Sequence, residues 1–421
     1  MYKRLSGAAL VLAMLSAVPA MAEESVASRF KLQLGGYIKL DYAHNSNAVG
    51  PISPGAPGGG IPPIAAGASS KDESVFTAKQ SRLWLKVSGP EFNGAKTGAL
   101  VEMDFYGFGA LSNEFANLRM RHAYGTLDWA NTQVLFGQYW DVFGGGCADT
   151  VDFRLGGTTG NPASPRVPQV RVTHRVDLSA DNGVRMVIAA QNPTEDAAAP
   201  GSNSMSKTGG YGSAVNGAGL VSFTSKALGV SPGYMGLGNS PLTVTLFGEI
   251  SNEKLTPQNE VTPWGYGVYG LVPLMASKDG KSRAMTLTLE AQAYMAAGID
   301  VQGATAMSLV GATKQDARPA RGYGIFGQLK FYPTQELGVN AGYGRRESLD
   351  VDKAKATSAA VLALSNAPYG PERYNELMYV NVSYDLNPAI RVATELERMH
   401  TGYAATHGQN NTVRVAAYYF F

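Results

Sequence analysis

The sequence predicts an all-β chain that closes as a transmembrane antiparallel β-barrel. Three observations carry that expectation. Segments of about ten residues alternate apolar and polar side chains, the period of a barrel strand. The connections between them alternate short and long. Beyond the first residues, no stretch has 18 consecutive apolar residues, so a membrane-spanning helix is not expected.

The central stretch shows the pattern best. In residues 116–129, Arg119 and Arg121 alternate with Leu118, Met120 and His122. In residues 169–177, Gln169, Arg171, Thr173 and Arg175 alternate with Val170, Val172, His174 and Val176. A strand side chain changes face at every residue, so each segment has one basic and one largely apolar face. A soluble sheet buries its apolar face against another layer. A membrane barrel turns it to lipid and its charged face to water. A soluble sandwich is the alternative, but such domains rarely reach 400 residues without a second core.

In chain order, residues 1–22 read as an export signal. Lys3 and Arg4 precede an apolar run at 8–18, and Ala20-Met21-Ala22 is a small-x-small cleavage site. Strands are expected at 30–44, 74–88, 95–106, 116–129, 133–143, 169–177 and 183–192. They recur near 218–228, 242–252, 262–274, 283–298, 321–331, 337–348, 374–385, 390–402 and 410–421. The count is sixteen, with eighteen the next even number; an even count puts both termini on one side. Short turns fall near 89–94, 129–132, 179–182, 277–281, 332–336 and 386–388, and long loops near 45–73, 144–168, 193–217, 299–319 and 349–372. The connection at 229–241 breaks the pattern: it lies on the short-turn side but is long. A helical patch at 351–365 falls within a long loop. The final strand ends on Phe421 with nothing after it, so its edge needs a partner, and pairing with the first strand closes the barrel.

Composition excludes several classes. One cysteine, Cys147, rules out an internal disulfide framework and makes no metal site. A net charge of +2 with 16% charged residues does not suggest nucleic-acid binding. There is no HExxH, GxSxG or CxxCH signature, so neither enzyme chemistry nor a cofactor is expected. A hydrolase hidden in the barrel without a local motif is the residual enzyme reading.

Four segments resemble the trimeric outer-membrane porins of the DcaP type and, more loosely, the phosphate-selective porin group. They are LGGYIKLD (34–41), LRMRHAYG (118–125), FGQYWDVFG (136–144) and PQVR (168–171). Phe421 at the end of an alternating aromatic strand resembles the outer-membrane assembly signal. The motifs span residues 30–180, and the remainder matches by pattern alone. The periplasmic coiled coil that often precedes the barrel in that group has no counterpart in residues 23–29. The resemblance implies an outer-membrane homotrimer with a long third loop, about 144–168, folded into each pore.

Inward positions then supply candidate pore-lining residues: Arg82, Lys86, Arg119, Arg121, Arg171 and Arg175, with Glu102 and Asp104 between them. Fixed positive charge in a narrow channel favours anions such as carboxylates or phosphate. The competing reading is that these cations pair with Glu102, Asp104 and the loop acids Asp149 and Asp152. Arg154 and Arg166 are further charges of the expected constriction loop, and the opposite wall sets Glu290, Glu395 and Glu397 against Arg346, Lys330, Arg391 and Arg414. Tyr42, Tyr139, Tyr332, Tyr384, Tyr403 and Tyr419 are expected in interfacial girdles. His122 and His174 are expected on outward faces. Passive diffusion of small hydrophilic solutes is the favoured expectation. A barrel sleeve around an electron-transfer partner is the alternative, although sixteen strands leave little room for a folded protein. A passive adhesin is a weaker third reading.

Overall fold

The computed structural model describes residues 29–47, 72–107, 116–153, 160, 166–192, 215–299, 309–311, 315–354, 372–403 and 406–421. The expected export signal, Arg154 and most of the helical patch lie outside these residues. Within the patch, only Val351–Ala354 is described, as one helical turn.

Sixteen barrel strands follow in chain order. They are β1 (Lys31–Asn45), β2 (Glu73–Thr77 and Arg82–Ser88), β3 (Lys96–Asp104) and β4 (Arg119–Asp128). Next come β5 (Thr132–Trp140), β6 (Arg166–Asp177), β7 (Asn182–Gln191) and β8 (Asn216–Pro232). β9 (Asn239–Ile250), β10 (Trp264–Met275), β11 (Thr286–Ala297) and β12 (Arg321–Tyr332) continue the wall. β13 (Leu337–Ser348), β14 (Glu372–Asn387), β15 (Ile390–Tyr403) and β16 (His407–Phe420) complete it. Both pieces of β2 pair with β1, through Asp41↔Thr77 and Tyr37↔Arg82, so they form one interrupted strand. The break folds Gln80 and Ser81 inward, where Ser81 Oγ accepts the Lys39 N–H at 3.0 Å.

Closure is antiparallel. β1 pairs with β16 from Tyr37↔Phe420 to Asn45↔Thr412, and Gly36 and Phe421 exchange backbone hydrogen bonds at 3.0 and 3.2 Å. The C-terminal strand therefore has no free edge. This matters because an unpaired backbone group in hydrocarbon costs several kcal/mol.

The faces alternate as the sequence requires. On the last strand, Val415 is 48% exposed and its neighbour Ala416 is 1% exposed. Leu40, Leu329, Val380 and Leu396 are likewise exposed on the outer face. The inner face buries Lys39, Asp41, Thr288, Glu290, Lys330, Glu395 and Arg414. The polarity is thus inverted relative to a water-soluble sheet.

Two expectations of facing need correction. His122 turns inward, because the β3–β4 register slips between Glu102↔His122 and Met103↔Met120. Arg121 is the extra residue, and the period of two breaks there. His122 then packs on Tyr139 and Trp140, with ring centroids 5.1 and 5.2 Å away. Tyr139, Tyr332 and Tyr403 also leave the expected girdle. Tyr139 meets Arg171 of the inner face, and Tyr332 and Tyr403 are buried. Tyr384 and Tyr419 are exposed, and Tyr42 pairs with the exposed Phe76. Residues 229–241, which broke the short-turn pattern, hold a hairpin into which β8 and β9 extend.

Gly137 shows a local constraint of the wall. Its φ is +122°, and an added Cβ would lie 2.3 Å from the Ala123 carbonyl oxygen. Gly137→Val is expected to destabilise the barrel by about 2 kcal/mol or more. Urea unfolding in detergent micelles checks this by a lower midpoint.

Candidate functional site: two unlike walls of the lumen

The inner surface divides into a basic wall on β2–β7 and an ion-paired wall on β11–β16. On the basic wall, three arginines share two carboxylates. Arg119 holds Asp104 through two bonds, at 2.9 and 2.6 Å. Arg121 reaches Glu102 at 2.6 Å and Asp104 at 2.8 Å, and Arg82 lies 3.7 Å from Glu102. Three cations against two anions leave one positive charge.

The remaining cations of this wall differ. Among the described residues, no carboxylate pairs with Lys86, Arg166, Arg171, Arg175 or Arg185. Arg166 lies over Trp140 at 4.9 Å and Arg171 over Tyr139 at 4.4 Å. Such stacking orients a guanidinium without neutralising it. Arg175 and Arg185 face each other across β6 and β7, and both are exposed to the lumen. Along β6, Arg171 and Arg175 share the inner face four places apart, roughly 13 Å at strand rise, and Arg166 opens the strand. A cavity of about 230 Å³ opens beside Arg171, lined by Lys86, Leu100, Tyr124, Leu135 and Tyr139.

The basic cluster therefore divides into paired and unpaired cations. Arg82, Arg119 and Arg121 pair with Glu102 and Asp104. Lys86, Arg171 and Arg175 do not. Arg185 joins them; it sits inward in an expected strand, but its partner across the sheet was not readable from spacing.

The loop after β5 runs along the other wall. Asp149 and Asp152 do not meet the basic cluster, which corrects their expected partners. Asp149 lies 3.6 Å from Lys330, which also contacts Glu290 at 3.1 Å. The Asp149 carbonyl accepts from Asn340 and Asn381 at 2.8 and 2.7 Å. Burial pushes the Asp149 carboxyl up, and Lys330 opposes that shift. The Val151 N–H donates to Glu395 at 2.9 Å, and its carbonyl accepts from Lys39 at 2.7 Å. Asp152 lies 3.2 Å from Arg414, which also holds Glu397 at 3.0 Å.

Apolar contacts reinforce these straps. Ala148 packs with Phe326, Leu377, Tyr379 and Met399. Val151 joins Ala393, Ala416 and Tyr418, with Phe153 beside them. A fully buried valine or phenylalanine side chain is worth about 1.5–3 kcal/mol. Residues 141–153 are thus held against the inner face rather than in solvent.

Residues 8–421 match the Gram-negative porins as a family. This chain belongs to that family. It is an outer-membrane channel for the diffusion of small solutes. Solved porins share the architecture. The outer-membrane channel DcaP of Acinetobacter baumannii is 19% identical, with a TM-score of 0.65, covering 95% of this chain and 100% of its own. The anion-selective porin from Comamonas acidovorans is 9% identical, with a TM-score of 0.55 and coverage of 93% and 100%. OmpT of Vibrio cholerae in its trimer form is 11% identical, with a TM-score of 0.51 and coverage of 93% and 100%. At these identities the likeness is one of fold. No curated protein matches this porin in sequence.

Arg414 is the keystone of the ion-paired wall. Arg414→Met would leave Asp152, Glu395 and Glu397 buried against one another without their shared cation. A loss of about 3–5 kcal/mol is expected, the cost of breaking a buried pair from one side. Urea unfolding of the micellar protein measures it. Arg175→Met, which removes no ion pair, is expected to leave the midpoint within about 0.5 kcal/mol.

Proposed function

We propose that this porin favours small anions, such as carboxylates or phosphate, over cations. One observation carries the reading: four cations on the lumen face of β2, β6 and β7, Lys86, Arg171, Arg175 and Arg185, have no carboxylate partner among the described residues. In a narrow channel with low-dielectric walls, such charge raises the local anion concentration. Arginine suits the task because its planar fork matches carboxylate and phosphate oxygens. The spacing along β6 offers successive stations, so an anion leaves one as it meets the next. The cavity beside Arg171 has a mixed lining, with Leu100, Leu135, Tyr124 and Tyr139 beside Lys86, Thr126, Asp128 and Gln133, so it offers an organic solute both apolar and polar contacts.

Residues 144–168 act, in this reading, as the constriction loop. Asp149 and Asp152 anchor it to the ion-paired wall, and Arg166 brings charge to its return. Arg154, which lies outside the described residues, is assigned to the same loop. Residues 1–22 are read as the export signal and residues 23–421 as the mature barrel. A homotrimer is proposed, with the short strands β2–β5 at the subunit contact. Their outer face carries the exposed Leu85, Val101, Met120 and Phe136. A sleeve around an electron carrier fits poorly, since loop residues 141–153 occupy lumen space that a folded partner would need.

The test is the reversal potential of the purified protein in a planar bilayer under a salt gradient. Chloride is expected to permeate in preference to potassium. The triple variant Arg171→Gln, Arg175→Gln, Arg185→Gln is expected to lower that permeability ratio about threefold or more. A cation-selective wild type, or a triple variant with an unchanged ratio, would overturn the anion reading.

A further inference from the structure

Residues 229–241 lie on the short-turn side of the barrel, where two to five residues normally suffice. Here the wall pairing of β8 and β9 ends at Ser225↔Leu242. Residues 226–229 are looped out, and pairing resumes from Val230↔Pro241 to Pro232↔Asn239. The resumed hairpin does not continue the wall. Thr288, on the inner face of β11, donates to Ser231 Oγ at 2.8 Å and to the Pro232 carbonyl at 3.2 Å. The hairpin has therefore bent into the lumen.

Its tip is fastened there from three sides. The Met235 N–H donates to Asp149 Oδ2 of the constriction loop at 2.8 Å. The Met235 carbonyl accepts from Arg391 of β15 at 3.0 Å. The Gly236 carbonyl accepts from Arg283, beside β11, at 3.5 Å. Met235 holds a left-handed φ of 52°, which a methionine seldom adopts unaided. At Gly236 an added Cβ would come within 2.5 Å of Tyr332 Oη, so the tip sits tight against β12. Tyr234 remains 42% exposed, within electrostatic reach of Asp149 and Cys147 of the loop and of Tyr37 and Arg82 on the β1–β2 wall.

The β11–β16 half of the lumen is thus occupied twice, by loop residues 141–153 from one end and by the hairpin from the other. We propose that hairpin 229–241 is a second constriction element, with Tyr234 as its rim. It closes the ion-paired half of the pore and confines permeating solutes to the strip along Arg171, Arg175 and Arg185. In that role it sets the size limit and sharpens the anion preference. The proposal rests on the channel reading above.

Three full-length proteins in planar bilayers test it: wild type, a deletion of residues 229–241, and Tyr234→Ala. The deletion leaves residues 226–228 as a short turn between the paired Ser225 and Leu242. Conductance, chloride-over-potassium permeability and exclusion of neutral polyethylene glycols are read together. The deletion is expected to raise conductance about twofold, admit larger polymers and lower the chloride preference. Tyr234→Ala is expected to shift all three in the same direction by a smaller amount. If the deletion conducts and excludes as wild type does, the hairpin is no constriction and the proposal falls. Should the deletion fail to assemble, an unchanged Tyr234→Ala channel overturns the proposal by itself. A wild type that does not conduct would instead overturn the channel reading.

Discussion

Hydrocarbon offers no partner for a backbone amide, and the architecture follows from that constraint. Every spanning strand must be paired on both sides, so the sheet has to close. β1 meets β16 on one edge and both pieces of β2 on the other. With the backbone satisfied within the wall, side chains alone distinguish inside from outside. The same alternation then places Leu40 and Val415 against lipid and Lys39 and Arg414 in the lumen.

A barrel of sixteen strands leaves more interior than wall side chains fill. This porin fills half of it. Buried Lys39, Lys330 and Arg414 are expensive to desolvate alone, and each is answered by carboxylates or carbonyls of the wall and the inserted loop. The loop and the ion-paired wall therefore depend on each other. On the opposite wall, no acid among the described residues pairs with Arg171, Arg175 or Arg185, so they stay where lumen water solvates them. One side of the barrel uses its charges for structure, and the other leaves them for solutes.

Strand positions and faces were legible because a period of two is a local property. Residues 337–348 matched the observed β13 to the residue, and most other strands to within a few. Legibility ended where partners are distant. Asp149 and Asp152 are near Arg166 in sequence, yet they meet Lys330 and Arg414, because the loop crosses the lumen. His122 was misplaced because one extra residue at Arg121 reverses the faces, and nothing local marks that slip. The tyrosines failed differently. Proximity to a strand end says nothing of face, so Tyr139, Tyr332 and Tyr403 satisfied the girdle pattern while pointing inward. Residues 229–241 stood out only by length. Their destination depends on Asp149, Arg283 and Arg391, whose contacts with the tip span 86, 47 and 156 residues of chain.

The inside–outside assignment of the β6–β7 pair is the point on which the account turns. Single cysteines at Arg175 and Arg185, and at their neighbours His174 and Met186, can be compared in a Cys147→Ser background. A membrane-impermeant, negatively charged thiol reagent is added to channels in a planar bilayer. Modification at positions 175 and 185 should lower the current, while positions 174 and 186 should stay unmodified. Current block from 174 and 186 alone would mean that the faces are reversed and that the arginines do not line the path.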